Sequence, residues 1–168
     1  MKTFFACCLL FIGGLNGVCY AADVGPRVLK VKGLYLGMNI EEAKSVVEKL
    51  FDKSFEMAQV VSGRDEGSYR FLDGERVSIR ASEDRKVDSI QLYQRGVNIL
   101  FNAYEYSSEE FKNAFSQAYN LSPFQEIVRP YEGWEFTSPN GNGYKVRISK
   151  SKDLTVLKVV QKGRLMFD

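Results

Sequence analysis

The amino-acid sequence predicts an α+β fold in which two tandem repeats, each a helix followed by antiparallel strands, form one sheet with the helices packed on one face. Two observations lead to this prediction. Residues 39–51 and 107–119 are similar helix-forming segments. Each segment is followed by alternating apolar stretches that are separated by turn signals. An apolar helix stripe must be covered, and the apolar face of a sheet can cover it.

Both helical segments have a capping signal and one apolar stripe. Asn39 is a favourable N-cap, and Glu42 completes a capping-box pattern; Ser107 and Glu110 repeat that arrangement in the second segment. The first stripe is Ile40, Ala43, Val46, Val47 and Leu50. The second is Phe111, Ala114, Phe115 and Ala118. We therefore expect two helices on one core, with the larger aromatics of the second opposite the smaller side chains of the first.

The strand signals follow the helices in the same order in both halves. In the first half, the hairpin signal Asp73-Gly74 precedes alternation at 77–81, and a polar turn then leads to 87–93. In the second half, a turn at 138–143 precedes alternation at 144–149. The aligned apolar positions are Val77 with Val146, Ile79 with Ile148, Val87 with Val156, and Ile90 with Val159. Each half is therefore predicted to contain an extended entry, a helix and three strands.

The N-terminus has the pattern of a secretory signal peptide. Lys2 supplies a positive charge, residues 4–12 are apolar, and Cys19-Tyr20-Ala21 places small side chains before a cleavage site. The apolar run is much shorter than the roughly 20 residues that a membrane span needs. We therefore expect an exported protein, periplasmic or secreted, that does not span a membrane.

The predicted division of the chain follows from these signals. The signal peptide is 1–21, the first α+β repeat is 22–95, and the second repeat is 96–168. The two repeats are expected to form one compact unit, because a single unit of this size without disulfides would be marginally stable.

The composition excludes much catalytic machinery. The sequence has no histidine, and all three cysteines precede the predicted cleavage site. The mature chain therefore has no Ser-His-Asp triad, thiolate nucleophile or His/Cys zinc site. Without Lys2 it carries 22 basic and 21 acidic residues, a balance that argues against nucleic-acid binding. We expect no enzymatic activity, cofactor or metal.

The start of the first helical segment resembles a known motif. Gly33-Leu34-Tyr35-Leu36-Gly37-Met38-Asn39, followed by Glu41, Glu42 and Ala43, is similar to the opening of small envelope domains. These are the SmpA/BamE-type assembly modules and the tandem-repeat β-lactamase inhibitor protein family. The resemblance implies helices on one face of an antiparallel sheet and an open opposite face.

Aromatic and basic side chains supply the candidate binding site, because tyrosine, tryptophan and arginine often anchor protein interfaces. We expect an open sheet face that carries aromatic side chains with a basic rim. The candidate aromatics are Tyr93, Tyr131, Trp134 and Tyr144, and the candidate rim is Arg76, Arg80 and Lys145. The opposite assignment, with Trp134 in the core, stays open at this stage.

The sequence thus favours an exported, non-enzymatic module that binds another protein, with an inhibitor or immunity protein as the specific version. The alternative is a cell-envelope accessory protein. It would contact outer-membrane components or anionic lipid through the basic C-terminal hairpin, residues 145–168.

Overall fold

The computed structural model describes residues 28–63, 66–130, 132–139 and 143–159. The predicted signal peptide and Tyr131 lie outside the described residues. The helices are α1 (Ile40–Phe51), α2 (Gln94–Phe101) and α3 (Ser108–Tyr119). The strands are β1 (Met57–Gln59), β2 (Tyr69–Asp73), β3 (Val77–Ala81), β4 (Val87–Leu92), β5 (Gln125–Ile127), β6 (Gly133–Thr137), β7 (Tyr144–Ser149) and β8 (Leu154–Lys158).

The strands form one antiparallel sheet in the order β1-β2-β3-β4-β8-β7-β6-β5. Strands β1 to β4 follow one another as a meander, and so do β5 to β8; the two meanders join where β4 pairs with β8. The α+β prediction, with a sheet and packed helices, is confirmed. Each half also contains a short edge strand that the sequence did not predict, β1 in the first half and β5 in the second. That the two halves arose by duplication stays a prediction.

The two predicted helices begin where their caps predict. The Asn39 side chain accepts a hydrogen bond from the Glu41 N–H at 2.9 Å. At α3 the Ser107 hydroxyl accepts from the Glu110 N–H at 3.2 Å, and the Glu110 carboxylate accepts from the Ser107 N–H at 2.8 Å. The capping box is therefore complete at α3, whereas α1 uses a simpler cap.

Helix α2 was not predicted from the sequence, and it spans the expected boundary between the repeats. It contains Gly96, which is buried against the chain just before β3. A Cβ atom on Gly96 would lie 2.1 Å from the carbonyl oxygen of Arg76. Glycine therefore lets α2 approach the β2–β3 turn closely enough to close the helix layer.

One hydrophobic core lies between the helices and the sheet. It combines helix residues such as Val47 and Phe115 with sheet residues such as Ile79 and Val156. In α3 the aromatic stripe packs on Phe101 at the end of α2, with a ring-centroid distance of 5.5 Å to Phe111. None of the helices in the described ranges is long and apolar enough to cross a membrane.

Candidate binding face

The side of the sheet that faces away from the core presents polar and charged side chains, and we call it the open face. Along each strand, alternate residues point to the core and to this face. In β3, Val77 and Ile79 are fully buried in the core, so Arg80 lies on the open face. In β7, Val146 and Ile148 are buried in the same way, so Lys145 and Arg147 lie on the open face.

The first charged cluster of the open face lies on β2 and β3. Arg70 and Arg80 are directly opposite each other in the two strands. Arg80 donates from Nε to an Asp88 carboxylate oxygen at 2.9 Å, whereas Arg70 Nε approaches the Ser78 hydroxyl at 3.4 Å. Like charges opposite one another repel, and the Asp88 carboxylate beside Arg80 offsets part of that repulsion.

The second charged cluster lies on β6 and β7. Lys145 Nζ and Arg147 Nε each donate to one oxygen of the Glu135 carboxylate, and both distances are 2.6 Å. Partial burial favours a raised pKa for the Glu135 carboxyl, but these two cationic donors outweigh burial and hold the pKa below its ordinary value. The cluster therefore contains two cations that share one ionised carboxylate.

A groove lies over the central strands β4 and β8 and extends to Arg147 of the second cluster. Its volume is about 250 Å³. Its lining combines small polar side chains, one arginine, two carboxylates and two aliphatic side chains: Ser89, Gln91, Thr155, Arg147, Glu132, Asp153, Ile127 and Leu157. Arg80 and Lys145 stand on β3 and β7, three strand spacings apart across this groove, or about 14 Å. The arrangement is suited to binding another molecule over a broad surface.

The predicted position of Tyr144 on this face is wrong, and Trp134, for which a core position was left open, lies on the core side. Trp134 is only 7% exposed and pairs with Ile148 on the core side, where Lys112 and Lys150 lie over its ring. Tyr144 shares the core side with Val146, its ring centroid is 6.3 Å from that of Phe136, and burial raises the pKa of its phenol. Both residues follow the alternation of the neighbouring apolar side chains, which places them in the core.

The remaining candidate residues are divided between the open face and the β2–β3 corner. Arg80 and Lys145 are on the open face as expected. Tyr93 is instead the N-cap residue of α2, and its N–H donates to the Arg76 carbonyl at 3.0 Å. The Arg76 side chain pairs with Asp73 at 3.4 Å. These two residues therefore fix the β2–β3 corner under α2, away from the charged clusters.

Sequence reasoning missed several residues that form the open face. Arg70, Arg147, Ser89 and Leu157 all alternate with core residues in their strands. Alternation was visible in the sequence of β2, β7 and β8, whereas β4 has two successive residues, Asp88 and Ser89, between its core positions. The candidates were chosen by residue type, which favoured tyrosine and tryptophan. Choosing the polar positions between buried ones would have found these side chains.

The chemistry of the face is that of ion pairs and hydroxyl groups. Within the described ranges, no group of three or more acidic side chains is placed to hold a metal ion. The chain matches no known protein-family model, and no curated protein and no solved structure is significantly similar to it. The resemblance of residues 33–43 to envelope domains therefore remains a prediction from that motif alone.

Proposed function

We propose that this protein is an exported, non-enzymatic module that binds another protein through its open sheet face, as an inhibitor or immunity protein does. One observation carries this proposal: no helix in the described ranges covers the open face, which holds a groove and two charged clusters. A surface of this kind combines a recess with charges that can orient a partner.

The backbone of the open face is held by hydrogen bonds between neighbouring strands, which favours binding. Its central residues stand on β4 and β8, which have hydrogen-bonded neighbours on both sides in the eight-stranded sheet. Glu135 holds two of the cations in defined positions. Since little conformational entropy remains to be lost, binding would cost less than it would for a mobile loop.

The envelope-accessory alternative has weaker support. It requires free cations in the C-terminal hairpin, but Lys145 and Arg147 are paired with Glu135. Lys150 is paired with Glu126, and Lys152 is buried. Few cations of the described part of this hairpin are thus free to contact anionic lipid.

The test is a pull-down in which residues 22–168 are the bait. Proteins that bind the bait are recovered from envelope extracts and culture medium of the source organism, at low and at high salt. Binding of the recovered partner, once purified, is then measured with two variants. Ser89→Arg fills the groove, because Ser89 faces Leu157 across the two central strands. Ser45→Arg is the matched control on the exposed side of α1.

We expect a stoichiometric partner that resists high salt, and a dissociation constant raised about tenfold or more by Ser89→Arg only. Equal affinities for both variants would refute binding through the open face. Recovery of membranes alone, lost at high salt, would favour the accessory role instead.

A further inference from the structure

The loop between α2 and α3, residues 102–107, exposes two tyrosines. Tyr104 is 59% exposed and Tyr106 is 48% exposed, with Glu105 between them. Neither phenol has a hydrogen-bond partner within the described part of the chain. Because the two Cα atoms are two residues apart, they lie within about 7 Å of each other. The loop therefore presents a close pair of aromatic side chains.

The loop is held firmly from beneath. Ala103 is fully buried, and its N–H donates to the Asn98 carbonyl at 3.2 Å. Lys152, in the β7–β8 turn, donates from Nζ to the Ala103 carbonyl at 2.7 Å and to the Tyr106 carbonyl at 2.6 Å. The backbone on either side of Tyr104 and Glu105 is thereby fixed before any partner arrives.

Burying the Lys152 ammonium costs free energy, although its hydrogen bonds hold the loop. Its side chain belongs to a residue that is only 5% exposed, and its ammonium forms no ion pair within the described ranges. Burial of a cation that is solvated only by carbonyl groups is costly, although its two hydrogen bonds satisfy carbonyls that an apolar side chain would leave without a donor. These hydrogen bonds give the loop a defined shape, which reduces the conformational entropy that the loop loses when it binds a partner.

An exposed carboxylate lies between the two tyrosines, and a second one follows in the first turn of α3. Glu105 is exposed and unpaired within the described residues, and Glu109 is 69% exposed with a distant Lys112 at 3.9 Å. The nearby Lys152 ammonium is turned inward. Phenol rings and carboxylates together attract cationic side chains, because a cation binds both the face of the ring and the carboxylate.

We propose that residues 102–107 form a second protein-contact surface, which binds a partner segment rich in lysine and arginine. Its cations stack on Tyr104 and Tyr106 and pair with Glu105. This goes beyond the proposed function, since the loop joins two helices on the core side of the sheet and shares no residue with the open face.

The test selects random peptides displayed on phage against the chain from residue 22 to 168. Peptides that also bind the Tyr104→Ser/Tyr106→Ser double variant are removed. The leading peptide is then synthesised, and its affinity is measured for the original chain and for the variant. A Val61→Ser/Val128→Ser double variant is the matched control, because it removes two other exposed apolar side chains, which are 84% and 70% exposed.

We expect the selected peptides to have an excess of lysine and arginine. The leading peptide should bind the tyrosine variant about tenfold more weakly and the valine control equally well. Lys152→Met keeps both tyrosines but releases the loop, and it should weaken binding several-fold. Neutral or acidic peptides, equal affinity for the tyrosine variant, or no selected peptide would each overturn the proposal.

Discussion

Two turns of the sheet have the same backbone geometry but different side-chain contacts. The β3–β4 turn is residues 82–86, and the β7–β8 turn is residues 149–153. In both, the first residue donates to the carbonyl of the fifth at 3.0 Å, and the fourth donates to the carbonyl of the first at 2.9 Å. The fourth residue is basic in each turn, Arg85 or Lys152, with a positive φ of 61° or 73°.

The two basic side chains connect their turns to the start of a helix in different ways. Arg85 pairs with Glu41 in the first turn of α1, where both side chains are about half exposed, and it lies 4.8 Å from the centre of the Tyr69 ring. Lys152 is buried, and its ammonium donates to two carbonyls of the loop before α3. Similar turns can therefore have unequal energetic roles, because burial determines what it costs to lose a contact.

The largest expected effect comes from a substitution in α2, the helix directly before the loop that Lys152 contacts. Within the described residues, no corresponding helix precedes α1. Gly96→Ala places a Cβ atom 2.1 Å from the Arg76 carbonyl oxygen, so α2 must shift. We expect the free energy of unfolding to fall by about 3 kcal/mol, measured by chemical denaturation. Gly74→Ala is the control, because a Cβ atom added there would have no atom beyond its chain neighbours within 4 Å. Equal stability of the two variants would contradict the close approach of α2.

Lys152→Met should have the next largest effect. Methionine keeps most of the side-chain volume but leaves the Tyr106 carbonyl without its donor. We expect a loss of about 2 kcal/mol, with faster amide hydrogen exchange in residues 102–107. Lys158→Met, at an exposed lysine of β8, should change neither quantity. Unchanged exchange in Lys152→Met would show that this lysine does not hold the loop.

The helices and hairpins could be predicted because their signals are local. Caps at Asn39 and Ser107 and the turn at Asp73-Gly74 act within a few residues, and the structure confirms all three. Helix α2 could not, because a short segment containing Gly96 has low intrinsic helix propensity. Its stability depends on contact with the β2–β3 corner, which is distant in sequence.

The candidate site was predicted less well for a different reason. Arg80 and Lys145 lie on the open face as predicted, but Tyr144 was placed on the wrong face and Trp134 was left open, because residue type was given more weight than alternation. The Lys152 contact could not be seen at all, since it joins residues 49 and 46 positions apart. A lysine in a polar turn is ordinarily solvent-exposed, and only the three-dimensional structure shows that this one is buried.

Arg85→Ala should have a smaller effect than Lys152→Met, although the two residues occupy equivalent turn positions. The ion pair with Glu41 is exposed, so its loss should cost about 1 kcal/mol or less. The difference from the original chain should shrink further at high salt, because salt screens exposed charges. Arg95→Ala, which breaks another exposed pair with Glu75, is the control and should behave similarly. A larger loss than in Lys152→Met would reverse the comparison of the two turns.

The smallest expected effect comes from the capping box of α3, which Ser107 and Glu110 form directly after the loop that Lys152 contacts. Hydrogen bonds from the Ser107 hydroxyl and the Ser107 N–H hold the pKa of the Glu110 carboxyl below its ordinary value. This carboxylate therefore stabilises the fold above its unfolded-state pKa, and the stabilisation disappears as pH falls through the lower folded-state pKa. Glu110→Gln should be slightly less stable than the original chain at neutral pH, with the difference vanishing in acid.

Thermal unfolding at a series of pH values measures that difference. Glu42→Gln, at the same position of α1, is the matched control at neutral pH, because the α1 cap uses Asn39 and the Glu41 N–H instead. It should unfold at the same temperature as the original chain. If Glu42→Gln and Glu110→Gln lost equal stability at neutral pH, the capping box would contribute nothing specific to α3. The two helix starts would then be energetically alike, and the contrast between the halves would rest on α2 and the Lys152 contact.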